Sequence, residues 1–468
     1  GFKEAKPNSY FKQFNPYYSI SATKYKNYLL KRLPQLAKEA DLVYFKHDFN
    51  EMSDLASGNN HPPDDRHGHE ASVDAAIEML QATTKAQPNI IQNLTNWVWF
   101  SPWWLTHVDY LWMLAGDDGM NGNWPELSTQ ARSTTDRDTY IWRMWGDPAD
   151  RPLVPISRLM THGIIRKATP KDETLQDWLE YVLMYYGRGT LLKEWYITPS
   201  SMSADEWKGL CLVNNWAKKH QQELTNTVYV GGRPDEGNAY GYIGWKNEKG
   251  VLVARNPQAL AQTLIIPFNK ATGFYGKLGD SFKANVVFPY QAIYPTTFIS
   301  GKNISITLPG YSTMAFELSS GKSNSTPDKF SSIQFKKTET PATTTLTVPS
   351  DARGRCDLLL IGRPNLPSIH INGKSVIAAR KSASSINNFA SYAKTGMISK
   401  KATEWHMESF DLLPFVGKTI TITYSTAAGF KSYILVERKI KSPLKPKKDN
   451  ENLWPITNDT RREVLEIF

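Results

Sequence analysis

The stretch Asp41-Leu42-Val43-Tyr44-Phe45-Lys46-His47-Asp48-Phe49-Asn50 decides the fold. Leu42–Phe45 is a short strand-like apolar run, and it ends in lysine, histidine, aspartate and asparagine. Upstream, residues 22–40 carry apolar side chains at helical spacing, with Pro34 a predicted kink. Downstream, NNHPPDDRHGH reads as a polar loop, EASVDAAIEMLQATTKA as a helix and NIIQNLTNWVWF as a buried strand. VDYLWMLAG reads as a further strand, ending in Asp117-Asp118-Gly119. TDRDTYIWRMW is predicted helical, with Asp136 and Asp138 at its start, and LVPISRLMTHG is predicted to be a strand running into a loop. Two more helices, TLQDWLEYVLMYYGRG and SADEWKGLCLVNNWAKKHQQEL, complete an alternation over residues 1–225. Such alternation argues for an α/β fold with parallel strands.

After residue 226 the pattern changes to short strand-like segments separated by Gly, Asn and Pro, which predicts a β-sandwich over 226–320. SSGKSNSTPD (319–328) is a serine-rich linker. A second β-rich domain is expected over 321–445, and 446–468 reads as an exposed Pro/Lys-rich tail. No apolar run reaches the roughly 18 residues of a membrane helix. The chain opens at Gly1 without a methionine, which reads as a processed product or a fragment.

The net charge of +10 is unevenly placed. Residues 1–320 hold 32 basic and 32 acidic side chains, and residues 321–468 hold 23 against 13. Residues 51–150 run the other way, with 15 acidic against 5 basic, and eight of the fifteen tryptophans fall between Trp97 and Trp145. A nucleic-acid surface would place basic charge beside the aromatic residues, and here the aromatic segment is the acidic one. Acid plus indole suits a neutral-sugar site, where carboxylates do chemistry and rings stack on the C–H face of a pyranose. The alternative at any one position is a tryptophan in the core. In the basic third, the alternatives are a solvated lysine-rich surface and a β domain that holds an anionic glycan by charge.

Polar residues at the C-terminal ends of parallel strands are where α/β barrels place their active sites. Three ends qualify: Lys46–Asn50, Gln92–Asn96 and Gly116–Asp118. The bland reading of each carboxylate is a helix N-cap or loop salt bridge. His61, His67 and His69 with Asp64 and Asp65 lack the i, i+4 spacing of a zinc helix, so no metal is expected. Two cysteines, Cys211 and Cys356, make no disulfide framework. No phosphate loop and no G-x-S-x-G elbow is present, and no cofactor is expected.

The Asp41–Asn50 run resembles the Ile-Asp-Tyr-Ile-Lys-Trp-Asp-Met-Asn signature of glycoside hydrolase family 36, the melibiase-like α-galactosidases. His67-Gly68-His69-Glu70, Asn89 to Asn93, Leu111-Trp112-Met113 and Pro155 to Gly163 resemble later parts of the same pattern, so the likeness covers roughly residues 10–320. It implies Asp48 as nucleophile, Lys46 as a sugar ligand, and Asp117 as acid/base, 69 residues on, with Asp118 as second choice. Asn50, His69, Asn93, Trp97 and Trp99 would contact substrate, with Trp103 a further stacking candidate. Asp109 sits too early on its strand. The implied fold is a (β/α)8-type barrel, of which about strands four to eight are found in residues 1–225, followed by the sandwich. The upstream strands would lie in a longer protein or in another chain. The implied activity is retaining hydrolysis of a terminal α-linked sugar on an oligo- or polysaccharide, periplasmic or secreted in a bacterium, with a homo-oligomer possible. The chain departs from the family at Leu94-Thr95-Asn96-Trp97-Val98-Trp99, where the pattern has Cys-Ala-Ser-Gly-Gly-Gly, the stretch that touches galactose hydroxyls. That departure leaves a non-catalytic sugar-binding protein, or a transglycosylase, as alternative expectations.

Overall fold

The computed structural model describes residues 2–6, 17–50, 54–96, 101–112, 125–145, 153–168, 173–326, 331–384, 404–440 and 460–468. The chain divides into two units: Gly1–Ala115 with Arg158–Met160, and Gly116–Ser157 with Thr161–Phe468. The catalytic portion expected over 1–225 therefore draws on both.

In the first unit, helix α1 (Thr23–Glu39) carries Pro34 internally and ends at Asp41, whose φ of +45° reverses the chain into strand β1 (Tyr44–Asn50). Gln87 Nε2 donates to Asp41 Oδ1 at 2.8 Å and holds that left-handed turn. Helix α2 (Asp65–Ala86) starts earlier than the polar run suggests. Asp64 is its N-cap, accepting from His67 N at 2.9 Å, so the histidines 67 and 69 stand in the first helical turn. Gly68 is required there because a Cβ would lie 1.8 Å from Asp54 O. Val73, Ala76, Met79 and Leu80 form the buried face of α2, each apolar side chain of that size contributing roughly 1.5–3 kcal/mol when fully buried.

β1, β2 (Ile91–Asn96) and β3 (Tyr110–Trp112) make a three-stranded parallel sheet in that order. The register pairs Lys46 with Asn93, and Asn93 with Tyr110. Leu159 makes a parallel bridge to Leu111.

In the second unit, helix α3 (Thr129–Trp145) begins six residues before the predicted TDRD start. Asp136 and Asp138 are thus mid-helix, both buried. A helix interior accepts Asp138 because Arg188 Nε, Tyr240 OH and Tyr242 OH all donate to it, at 2.5, 2.5 and 2.7 Å. The strand predicted at LVPISRL is a 3-10 turn, Ile156–Arg158, next to Pro155. The strand of this region is β4 (Ile164–Arg166), paired in parallel with β5 (Trp195–Ile197). Helices α4 (Leu175–Gly187) and α5 (Ala204–Lys219) each open on a capping box, Thr174/Asp177 and Ser203/Glu206.

The sandwich is two layers. A seven-stranded antiparallel sheet built from segments between Val228 and Ser320 faces a two-stranded sheet, Gln262–Pro267 with Asn303–Leu308. Their inward residues form one core: Leu264, Ile266, Ile304 and Ile306 against Ile243, Trp245, Leu252, Phe282 and Phe316. Two five-stranded sheets follow over Phe335–Glu466, sharing the core of Leu346, Leu358, Leu360, Ile420, Ile422 and Ile434. The expected tail over 446–468 ends instead in a strand, Thr460–Glu466, paired antiparallel to Phe430–Lys439. Alternation of Arg462 and Val464 with outward residues carries it, and Arg462 is buried in bonds to Glu437 and Glu180 at 2.9 and 3.2 Å. Three arginines of this basic domain are internal and paired: besides Arg462, Arg438 lies between Asp351 and Glu463, and Arg355 on Asp357.

Candidate active site

Side chains alternate across a strand, so the parallel register sorts the first sheet into two faces. One carries Phe45, His47, Gln92, Leu94 and Leu111; the other carries Tyr44, Lys46, Asp48, Asn93, Thr95, Tyr110 and Trp112.

The first face packs on α2. Gln92 Nε2 donates to Leu80 O at 3.0 Å and to Thr84 Oγ1 at 2.8 Å. That leaves Gln92 Oε1 to accept from His47 Nε2 at 2.9 Å. Burial holds His47 below the ordinary imidazole pKa, a trend the bond to Gln92 only partly offsets. The ring is neutral at pH 7, stacked on Phe45 with centroids 4.6 Å apart. His47, which stands where the family motif has tryptophan, is thus part of the sheet–helix packing.

The second face carries the charged and amide groups singled out in the sequence. Lys46 Nζ lies 3.7 Å from Asp48 Oδ2, with both side chains partly open to solvent, and 4.8 Å from the centroid of Trp112. The ring face favours the ammonium and fixes its position. Between His47 and Asn50, β1 carries one residue more than β2, and Asp48 sits in that irregularity. A bulge at a strand end re-aims its side chain and is a recurrent device beside active sites. Asn93 is fully buried; its Nδ2 donates to Tyr44 OH at 2.8 Å and approaches Met160 Sδ at 2.8 Å. Its Oδ1 is buried with no partner among the described residues. A buried acceptor left without a partner costs about 1–3 kcal/mol.

Of the residues singled out in the sequence, Lys46, Asp48 and Asn93 are brought onto one face. Asn50 is the last residue of β1, paired in register with Asn96. His69 is half-buried in the first turn of α2. Asp117, Asp118, Trp97 and Trp99 lie outside the described residues. Trp103 is 45% exposed on a 3-10 turn, Pro102–Thr106, its ring 5.4 Å from buried Trp104 and 4.9 Å from His107. Asp109 is structural: its Oδ2 accepts from Gln92 N at 2.9 Å. Among the histidines weighed for a metal, His67 Nδ1 lies 2.7 Å from Asp64, and His61 Nε2 lies 3.3 Å from buried Asp54. Sequence reasoning passed over Tyr44, Thr95 and Tyr110. The available signal was period-2 alternation: Tyr44-Lys46-Asp48 and Asn93-Thr95 place polar groups on every second residue of the two strands.

No protein family model matches the chain, and no curated protein matches it by sequence. Several solved glycosidases resemble it in structure. A family 36 α-galactosidase of Geobacillus stearothermophilus, bound to 1-deoxygalactonojirimycin, aligns at 12% identity over 65% of this chain and 39% of that one, with a TM-score of 0.45. α-Galactosidase I of Mortierella vinacea aligns at 12% identity over 64% and 73%, with a TM-score of 0.41. An α-amylase of Geobacillus thermoleovorans aligns at 10% identity over 68% and 71%, also with a TM-score of 0.41. The chain spans about two-fifths of the Geobacillus α-galactosidase.

Proposed function

We propose that this chain carries the catalytic portion of a retaining α-glycoside hydrolase of α-galactosidase type, on a (β/α)8-type barrel. One observation carries the reading: Asp48, at a bulge at the C-terminal end of a parallel strand, stands 3.7 Å from Lys46 and shares its face with Asn93, whose buried Oδ1 has no partner among the described residues. A carboxylate, an ammonium and a buried amide oxygen on one face suit a polyhydroxylated ligand.

In this reading Asp48 attacks the anomeric carbon. The bond to the leaving oxygen breaks as Asp117 gives that oxygen its proton. Water then attacks the glycosyl ester, Asp117 takes the water's proton, and Asp48 departs as carboxylate. Retention requires the two carboxyl groups about 5–5.5 Å apart. Lys46 donates to a sugar hydroxyl and Asn93 Oδ1 accepts from another. Asn50, His69, Trp97 and Trp99 are assigned to the remaining sugar contacts. The role of Asp117 rests on its place in the sequence pattern. Exposed Lys336 and Lys337 support an added contact between the last domain and an anionic glycan, one that moderate salt would screen.

The test is a panel of aryl α-glycosides: galactoside, N-acetylgalactosaminide and glucoside. Turnover of at least one, lost by several orders of magnitude in Asp48→Asn, supports the reading. Calorimetric binding of the matching free sugar without turnover of any member refutes it, in favour of a non-catalytic sugar-binding protein.

A further inference from the structure

The second unit carries a cavity of about 860 Å³, within the size range of small-molecule sites. It lies between the end of α3 and one edge of the sandwich, lined by the end of the strand Tyr240–Lys246 with its hairpin tip Asn247–Glu248, by the segment Thr225–Val228 and by the Gly273–Gly276 loop. Its chemistry is mixed in a specific way. Tyr275 is 76% exposed, a ring in solvent with no packing role to justify it. Trp245 lines the same cavity and is nine-tenths buried, held by Phe268 at 4.9 Å and Phe274 at 5.0 Å. Its indole N–H is buried with no acceptor among the described residues. Asn226 Nδ2 donates to Gln222 O at 2.9 Å, which leaves its Oδ1 as an acceptor. Asn247, at φ +56°, forms the tip of the hairpin with Glu248, whose carboxylate is fixed by Ser320 Oγ at 2.9 Å. Lys246 and Glu248 offset each other in charge.

We infer that this groove is an accessory binding site for a neutral oligosaccharide chain. An open phenol ring offers a stacking surface for the C–H face of a pyranose. The amide acceptor of Asn226 and the carboxylate of Glu248 match its hydroxyls. The balanced charge disfavours an anionic ligand. The inference rests on the glycosidase reading for the identity of the polymer.

The experiment is affinity electrophoresis of the full chain in gels holding galactomannan or starch. The expected result is retardation of the wild type in one of the two. Tyr275→Ala, at an exposed position whose loss leaves the fold intact, should weaken that affinity by about tenfold. Asn247→Ala should weaken it as well, and both variants should turn over a small aryl glycoside at the wild-type rate. Asp48→Asn should remain retarded. The inference is overturned if neither gel retards the wild type, if Tyr275→Ala migrates like it, or if Asp48→Asn alone abolishes retardation. Tyr275-dependent retardation without any aryl glycoside turnover would instead refute the catalytic reading and leave the groove standing.

Discussion

Replacing Asp138 by leucine tests how the second unit is held together. Asp138 is fully buried on α3 and accepts from Arg188 Nε at 2.5 Å, Tyr240 OH at 2.5 Å and Tyr242 OH at 2.7 Å. Tyr240 and Tyr242 lie on a sandwich strand and Arg188 ends α4, so one carboxylate ties three elements. Burial works against the charge on Arg188, and the neighbouring Asp138 outweighs it, holding the guanidinium protonated. Removing the acid leaves a cation interred without a partner, which costs about 3–5 kcal/mol. For a cooperative unit of this size that is a drop in Tm on the order of 10 °C. The assay is thermal melting of Asp138→Leu, Arg188→Met and the double variant. Both single variants should melt early, and the double should recover part of the loss, because a hydrophobic pair replaces the buried ion pair at little cost while the Tyr240 and Tyr242 hydroxyls still lose their acceptor. A single-variant loss below about 1 kcal/mol, or a double variant as unstable as the worse single, would refute the argument.

Glu180 gives a pH test. Burial raises its pKa from 4.5 to about 7 against the pull of Arg462. Between those values the native state keeps a proton that the unfolded chain has lost, so stability is fully present below pH 4.5 and declines as pH rises through 7. The gap is worth about 3 kcal/mol, and Glu180→Gln should flatten that part of the stability–pH curve; an unchanged slope would contradict the assignment. Lys46→Met removes a charged donor from Asp48 and from the sugar, and kcat/KM on the active aryl glycoside should fall by about 10–100-fold with little change in Tm. Gly68→Ala drives a methyl into Asp54 O and should destabilise the first unit by about 1–3 kcal/mol, read as earlier melting or faster proteolysis between α2 and β1.

The sequence made much of this architecture legible, and its misses have physical causes. The strand at Tyr44, the body of the helix from Glu70 onward and the switch to β structure near 226 follow from periodicity and from Gly, Asn and Pro punctuation. Lys46, Asp48 and Asn93 were visible because polar groups on an apolar strand are conspicuous. The bulge that aims Asp48 was not, since an extra residue appears only once β1 and β2 are paired. The start of α3 was misplaced because Asp136 and Asp138 look like capping residues, and only tertiary partners more than 40 residues away, Arg188 and Tyr240, let Asp138 sit inside a helix. The last strand, Thr460–Glu466, was hidden by the Pro/Lys-rich run before it and by Arg462, a charge that becomes tolerable in a β layer only with Glu437 and Glu180 beside it. The groove beside Tyr275 has no linear signature, since its residues come from five separated segments.

The most direct measurement is to trap the reaction on the protein. A fluorinated α-glycosyl fluoride that forms but slowly releases a glycosyl ester should inactivate the chain with time. Peptide mass spectrometry should then place one sugar on the carboxylate of Asp48. A label on any other carboxylate, or steady turnover of an α-glycoside by Asp48→Asn at the wild-type rate, would contradict the account.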